Sequence, residues 1–516
     1  MKSLKHLAVV SSYAGSLLFL PAVASAQTGE EVLNSVCAAC HIKRDDGKLE
    51  RIDSVRKTPE AWDMTVVRMM RNHHVPLSQE DRTEVVRYLA STRGLSVAET
   101  QGRRYVLEKE PVAVDEAPSQ LMAETCGRCH SFARVALQRR TPDDWEKLLN
   151  FHLGQFPSLE LQALARDRDW WGVAHSEVLP FLAKNFPLGQ APQQHAEALQ
   201  QDWIVAGHQP GNGDYSGALR LEKAKDSYNV TLRYEINGKK ESYQGKGVLL
   251  GDGEWRATLS NGTSEIHQVL ELSKQGELSG RWFNKRNAVE GGRILAIPKG
   301  SPSRVIQVSP AYARVNAATE ITITGSNLTG KLALPPELNG SVISQTADKV
   351  VVKVTPTSAV GLTKFSVGDA DASMVIFSKL DRLAVEPTMA ISRVGGNGGP
   401  IPKTPAQFEA VGYLNGVDGK PGTDDDVRVG VFGAKWSVDN WDEAAAAKKD
   451  SRYTGSIDEK GLFTPADAGP NPERQMSTNN VGNLKVIAQV DDQGKTIGGE
   501  AHLYATVQRF IDPPIR

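Results

Sequence analysis

Two copies of one pentapeptide hold every cysteine of the chain. The stretches CAACH (37–41) and CGRCH (126–130) contain all four cysteines, and in each a histidine directly follows the second cysteine. Two thiols at this spacing can bond to the vinyl groups of one porphyrin, and the next imidazole can bind its iron as proximal ligand. The sequence therefore predicts two covalent c-type haems, held by Cys37, Cys40 and His41 and by Cys126, Cys129 and His130.

Other chemistries use the same residue types. A thioredoxin-like redox pair needs Cys-x-x-Cys but has no need of the histidine. A zinc site made of all four cysteines is conceivable, yet it would leave both histidines without a role. Four cysteines also allow three disulfide pairings in an oxidising compartment. The doubled Cys-x-x-Cys-His pattern nevertheless favours haem attachment.

An internal repeat surrounds the two motifs and identifies the elements that must position the distal ligands. TPEAWDMTVVRMM (58–70) resembles TPDDWEKLLNFHL (141–153), and an offset of 83 residues aligns Trp62 with Trp145. Each copy predicts an amphipathic helix that begins with Thr as N-cap and Pro at the first helical position. The repeat therefore predicts two related cytochrome units that present their distal ligands from equivalent helices.

The same offset aligns Met69 with His152, about two helical turns beyond each tryptophan. Thioether and imidazole groups can both bind haem iron, so we predict the axial pairs His41/Met69 and His130/His152. A thioether ligand raises the potential, so the pair would have one high-potential and one low-potential site. Alternatives remain open for the first iron, because Met on a helix ordinarily packs in a core; they are Met70, His73 and His74, with Met64, Met122 and His175 also in this region.

The N-terminus has the pattern of a secretory signal. Lys2 and Lys5 form a positive region, an interrupted apolar run follows, and Ala24-Ser25-Ala26 supplies a small-residue cleavage site. We expect cleavage after residue 26. The serines and glycine inside the run make it a poor membrane span, and no later segment is long and apolar enough to cross a membrane.

Composition is that of a soluble globular protein of several domains. The chain has 516 residues, with 60 Lys+Arg and 61 Asp+Glu. This balance gives no indication of nucleic acid or an anionic membrane as partner. The length suffices for roughly three or four domains.

The pattern divides the mature chain into one helical and three strand-rich parts. We predict a dihaem cytochrome c domain over 27–195, in two repeats of about 27–100 and 115–190. Strand signals then predict an antiparallel β-barrel or sandwich over 196–302, with hairpin turns such as Asn237-Gly238. The EITITGSNL stretch (320–328) resembles immunoglobulin-like (IPT/TIG-like) domains, which we assign to 303–382, and 383–516 is assigned a further immunoglobulin-like β domain.

The strand-rich parts show no catalytic motif. Hydrolase elbows, P-loops and zinc-protease motifs are absent from the sequence. The loop NGVDGKPGTDDDV (415–427) has carboxylates that could hold calcium, but it does not match the EF-hand pattern. A solvated acidic turn is the more common role of such a cluster.

This architecture resembles the dihaem alpha (large) subunit of quinohaemoprotein amine dehydrogenase over the whole chain. The resemblance implies a periplasmic heterotrimer with a β-propeller subunit and a small subunit whose own side chains form a tryptophylquinone-type cofactor. It further implies oxidation of primary amines to aldehyde and ammonia, with electrons passing through two haems to an azurin-like copper protein or a cytochrome c. On this view the chain is the electron carrier of an oxidoreductase and contributes no catalytic residue.

Two other functions fit the motifs. A dihaem cytochrome c peroxidase would need an open or displaceable distal position on one haem. A non-enzymatic multihaem cytochrome would use its β domains to bind a surface or polysaccharide.

Overall fold

Among the described residues, helices predominate up to about residue 190 and strands predominate after it, as the change in hydrophobic period predicts. The computed structural model describes residues 27–155, 168–476 and 479–508, so the predicted signal peptide lies outside the described residues. A helical N-terminal domain is followed by an eight-stranded barrel and two immunoglobulin-like β-sandwiches. The predicted fold class is confirmed.

Besides its ten helices in the described residues, the helical domain contains a 3-10 turn at Cys37–Ala39, a π turn at Ala174–Val178 and two short strands. The strands are β1 (Val55–Lys57) and β2 (Gln138–Arg140). The helices are α1 (Gly29–Ser35), α2 (Pro59–Asn72), α3 (Gln79–Thr92), α4 (Val97–Thr100), α5 (Arg104–Leu107), α6 (Gln120–Glu124), α7 (Phe132–Ala136), α8 (Pro142–Gln155), α9 (Trp170–Val173) and α10 (Leu179–Asn185).

The internal repeat is a repeat of structure. Helices α2 and α8 begin and end at residues related by the offset of 83, and each begins after a threonine whose hydroxyl accepts a backbone N–H of the first turn. The Trp62 indole donates to Arg93 O at 3.0 Å, and Trp145 donates to Phe186 O at 3.1 Å. Both tryptophans are buried, so each fixes α2 or α8 against the end of a later helix.

Strands β1 and β2 join the two repeats by antiparallel pairing. Arg56 pairs with Arg139 at the centre of this register, and these two residues are equivalent in the repeat. The two halves are therefore related by an approximate two-fold axis at this pair. Glu99 accepts two hydrogen bonds from Arg56, at 2.7 and 2.8 Å, and lies 3.1 Å from Arg139 Nε, so one carboxylate binds both guanidinium groups.

The barrel forms because its strands alternate buried and exposed side chains. Tyr228–Ile236 buries every second residue, and Asn237 and Gly238 then take positive φ values of 49° and 72°, as a two-residue hairpin turn requires. The last strand pairs with the first to close the barrel. Its strands are β3 (Asp202–Gln209), β4 (Gly213–Lys223), β5 (Tyr228–Ile236), β6 (Lys239–Leu250), β7 (Glu254–Ser260), β8 (Glu265–Leu272), β9 (Leu278–Asn284) and β10 (Gly291–Pro298).

The first sandwich packs two four-stranded sheets over an aliphatic core. One sheet has the order β11-β13-β16-β15 and the other the order β12-β18-β17-β14. The strands are β11 (Arg304–Ser309), β12 (Tyr312–Arg314), β13 (Thr319–Ser326), β14 (Leu332–Ala333), β15 (Leu338–Gln345), β16 (Lys349–Pro356), β17 (Gly361–Val367) and β18 (Ala370–Phe377).

The second sandwich has sheets of three, four and three strands. Its strands are β19 (Arg382–Glu386), β20 (Met389–Arg393), β21 (Ala406–Gln407), β22 (Glu409–Leu414), β23 (Val427–Phe432), β24 (Lys435–Asn440), β25 (Gly455–Ile457), β26 (Leu462–Pro465), β27 (Gly482–Asp492) and β28 (Lys495–Thr506), with helices α11 (Glu443–Ala447) and α12 (Asp450–Tyr453). Within the described ranges, none of the helices has the length and apolar character that a membrane crossing requires.

A histidine joins the barrel to the second sandwich. His208 Nδ1 lies 2.7 Å from Asp214, and its Nε2 lies 2.9 Å from Glu409 of the sandwich. Burial alone would lower the pKa of His208, but the hydrogen bonds to Asp214 and Glu409 outweigh it and raise the pKa to about 9. The protonated ring is therefore bound by a carboxylate on each side.

The raised pKa of His208 predicts a stability that falls at alkaline pH. The contribution of the protonated ring is fully present below pH ~6.5, the pKa of an unperturbed histidine, and is lost as the pH rises through about 9. We expect the melting temperature of the full chain to fall more between pH 6.5 and 10 than that of His208→Gln. Equal falls in both proteins would contradict this role of the ion pair.

Candidate haem-binding sites

Helix α8 brings His152 opposite His130 of the second motif. The two ring centroids lie 6.4 Å apart. His130 Nδ1 is 2.9 Å from Ser131 O and His152 Nδ1 is 2.7 Å from Leu148 O, so each ring is held through Nδ1. Such bonds fix the tautomer in which a metal binds through Nε2. Burial lowers the pKa of both histidines, which favours the neutral imidazole that metals bind.

Two imidazoles whose ring centroids lie 6.4 Å apart are close enough to bind one metal ion together. The donors are also of the type that haem iron takes. The residues of the second site therefore fit the predicted cofactor.

Two buried polar atoms of the second repeat have no hydrogen-bond partner in the described part of the chain. They are Ser131 Oγ, next to His130, and His175 Nε2. A buried polar group without a partner is rare in a folded protein, and a bound group commonly accounts for it. His175 lies in the π turn and meets Trp171 edge-on, with ring centroids 4.6 Å apart.

The second repeat has an insertion relative to the first (DRDWWGVAHS, 167–176), of which the structure describes residues 168–176, and Trp170 of this insertion contacts the haem motif. Trp170 lies between two guanidinium groups, 5.6 Å from that of Arg128 within CGRCH and 4.7 Å from that of Arg168. Arg168 also donates to Glu124 at 2.7 Å. Helical structure begins at Trp170, because the π turn connects the insertion to α10.

The first motif forms a tight turn after α1. The His41 N–H donates to Cys37 O at 3.0 Å, which closes the pentapeptide around its two thiols. His41 Nδ1 lies 3.0 Å from Glu50 O, so this ring too is held through Nδ1, as in the second site. Cys37 packs against the core of the first repeat, and burial raises the pKa of its thiol.

Met69 occupies on α2 the position that His152 occupies on α8. It is half-buried, whereas His73 and His74, which follow the helix, are exposed. Met70 packs against the hydrophobic core of the first repeat together with Cys37. The assignment of Met69 as distal ligand therefore stays a prediction that rests on repeat symmetry.

The structure gives no support to the competing metal sites. All four cysteines are free thiols, and among the described residues no group of three or more His, Cys, Asp or Glu side chains is arranged to hold a metal ion. In the loop 415–427, Asp425 accepts the backbone N–H groups of Val417 and Asp418, and Asp426 pairs with Arg382. These carboxylates stabilise the turn itself.

Three charged residues around the haem sites were not predicted. Glu99 links the two repeats, while Arg68 on α2 and Arg134 on α7 lie near the second site. The repeat alignment offers no signal for them, because it aligns Arg68 with Phe151. Their proximity arises only from the pairing of the two halves.

Four models for the domains of one protein family match consecutive parts of the chain. The model described as quinohemoprotein amine dehydrogenase A, alpha subunit, haem binding matches residues 27–192. The models described as alpha subunit domains II, III and IV match residues 196–299, 302–378 and 383–515. Together they cover the helical domain, the barrel and both sandwiches in order.

Comparison with solved structures adds only weak similarities. Mouse clustered PcdhgC3 EC1-3 is 12% identical, with a TM-score of 0.17, over 57% of this chain and 79% of that chain. Drosophila N-cadherin EC1-4 is 11% identical, with a TM-score of 0.16, over 61% of this chain and 94% of that chain. Similarities at this level support no conclusion about this chain. No curated protein matches it.

Proposed function

Because the chain belongs to the family of quinohemoprotein amine dehydrogenase alpha subunits, we propose that it carries two c-type haems and transfers electrons within that dehydrogenase. The observation that carries this proposal is the pair of facing imidazoles, His130 and His152, with ring centroids 6.4 Å apart beside two free thiols. Haem bound there supplies a reversible one-electron change at iron. The family makes the chain a subunit of a multisubunit oxidoreductase.

The residues of the chain act by holding each haem and setting its potential. Cys37 and Cys40 would attach the first haem and Cys126 and Cys129 the second. His41 and His130 would bind the two irons from the proximal side, each oriented by a backbone carbonyl. Met69 and His152 would close the distal sides. Two different distal ligands give two different potentials, which favours transfer in one direction.

The remaining parts of the reaction would lie on partner chains. We propose that a small subunit carries the tryptophylquinone-type cofactor, that a β-propeller subunit completes a periplasmic heterotrimer, and that an azurin-like copper protein or a cytochrome c accepts the electrons. The N-terminal signal supports export to the periplasm. Distal sides closed by Met69 and by His152 would leave neither haem with the open position that a peroxidase needs.

Co-purification with quinone staining tests this proposal. The full chain, tagged at its C-terminus and expressed in a cell that makes the complex, is expected to bring down a small quinone-staining subunit. It is also expected to contain two covalent haems that do not react with peroxide. A chain that purifies alone would contradict the dehydrogenase function. A haem that reacts with peroxide would favour the peroxidase instead.

Met69→Ala is expected to remove the sulfur-to-iron charge-transfer band near the red end of the oxidised spectrum and to lower the potential of the first haem. The physical reason is that a thioether stabilises reduced iron more than water or imidazole does. Absorbance and redox titration measure both effects. Met70→Ala, one residue along the same helix, is the matched control and should keep the band. A band that persists in Met69→Ala shows that another residue closes the first haem.

A further inference from the structure

Among the described residues, two guanidinium groups beside the second haem site, those of Arg68 and Arg134, have no carboxylate partner. Arg68 is half-buried on α2, and its Nε donates weakly to Met64 O at 3.4 Å. Arg134 is half-buried on α7. Burial lowers the pKa of both, and repulsion from Arg68 further lowers that of Arg134, without an opposing carboxylate. Within the described ranges, neither forms an ion pair.

Other arginines of the same region are neutralised. Arg139 lies 3.1 Å from a Glu99 oxygen, and Arg140 pairs with Asp144. The lack of a partner therefore distinguishes Arg68 and Arg134 from their neighbours. Burying a charge without a carboxylate partner also costs free energy, because a charge removed from water is stable only when an opposite charge or strong hydrogen bonds compensate it.

Both groups act on the second site, because burial and then the charges of Arg134 and Arg68 lower the pKa of His152. The Arg68 guanidinium lies 5.8 Å from the centre of the Phe151 ring, and Phe151 meets the His152 ring edge-on at 6.4 Å. Arg134 follows His130 by four residues, and its charge acts on both His130 and His152. Two repeats contribute to this pair, because Arg68 belongs to the first and Arg134 to the second.

A c-type haem has two propionate carboxylates, and the planar guanidinium group binds a carboxylate through two parallel N–H···O bonds. We propose that Arg68 and Arg134 bind the propionates of the second haem. The inference rests on the proposed second haem and adds its partner residues. It assigns to α2 a role in both sites, since Arg68 directly precedes Met69, the predicted distal ligand of the first iron.

Redox titration of the holoprotein tests the pairing. Removing a positive charge that faces the haem stabilises its oxidised form, so Arg68→Gln is expected to lower the potential of the second haem. We expect about a tenfold shift in the oxidised-to-reduced ratio, which is ~59 mV for a one-electron couple. A propionate that has lost its cation also binds protons more readily. The potential in Arg68→Gln should therefore become pH-dependent between pH 5 and 8.

Arg71→Gln is the matched control. It removes the same charge from the same helix, but Arg71 is exposed, so water screens its effect. Arg134→Gln is a second, independent variant and should reproduce the pH dependence even if Arg68→Gln does not fold. Equal shifts of the second haem's potential in Arg68→Gln and Arg71→Gln would overturn the pairing. Potentials that do not become pH-dependent in either Arg68→Gln or Arg134→Gln would overturn it as well. So would a wild-type potential that changes with inorganic phosphate concentration, which would identify a free anion as the partner.

The outcome is separable from the proposed function. A haem-to-protein ratio of one would overturn the second haem itself. Two haems with unaltered potentials in Arg68→Gln would overturn only the propionate pairing.

Discussion

The double variant Cys126→Ser, Cys129→Ser is expected to hold one covalent haem instead of two. Serine hydroxyls cannot form the thioether bonds that these two thiols are placed to make. The free state of all four cysteines means that no disulfide is lost by the change. The haem-to-protein ratio, measured by pyridine haemochrome absorbance on denatured protein, should fall by half.

The same variant also tells the two sites apart. If Met69 binds the first iron, the variant keeps the sulfur-to-iron band, whereas Cys37→Ser, Cys40→Ser loses it together with the first haem. Both double variants should thus have equal haem content and different spectra. Two covalent haems remaining in either variant would contradict the attachment residues. Identical spectra would contradict the assignment of different distal ligands.

Glu254→Gln is expected to destabilise the protein by about 3–5 kcal/mol, the usual cost of removing one member of a buried ion pair. Glu254 of the barrel is 3% exposed, and it lies 2.5 Å from Arg104 of the helical domain and 2.8 Å from Arg256. The substitution removes the carboxylate that both arginines share in the contact between the two domains, and leaves Arg256 with Glu60 and Arg104 with Glu108 and Glu271. Burial alone would raise the pKa of Glu254, but the two arginines outweigh it and lower the pKa.

Urea denaturation at neutral pH, followed by far-UV circular dichroism, measures this loss. Glu222→Gln is the matched control on the same barrel, because Glu222 and its partner Arg220 are both largely exposed. Such a surface pair contributes about 0–1 kcal/mol. Equal unfolding midpoints in the two variants would contradict the role of Glu254 as the central charge of the domain contact.

Local sequence patterns predicted correctly those structural features that depend on residues close together in the chain. The Thr-Pro start of α2 and α8, the Asn237-Gly238 turn and the alternation in β5 depend on residues close in sequence, and each appears in the structure as predicted. The aligned tryptophans also identified a true repeat, because each buried indole needs a partner at the same place in its unit.

Contacts between residues far apart in the chain could not be predicted from local sequence patterns. Closure of the barrel joins β3 to β10, about ninety residues apart, and alternation in either strand does not specify its neighbour. Whether Arg68 meets a carboxylate depends on which half packs against α2, so no spacing rule reveals that it meets none among the described residues. The identity of the first distal ligand remains a prediction because Met69 and Met70 are adjacent and both fit the helical pattern.

The contact between β1 and β2 has a consequence for any separated half of the helical domain. Because equivalent arginines pair at the centre of its register, the contact is isologous, like the interface of a symmetric dimer. The surface that β1 offers to β2 is therefore close to self-complementary. A fragment with only one half would expose β1 as an unpaired edge, suited to pair with another copy of itself.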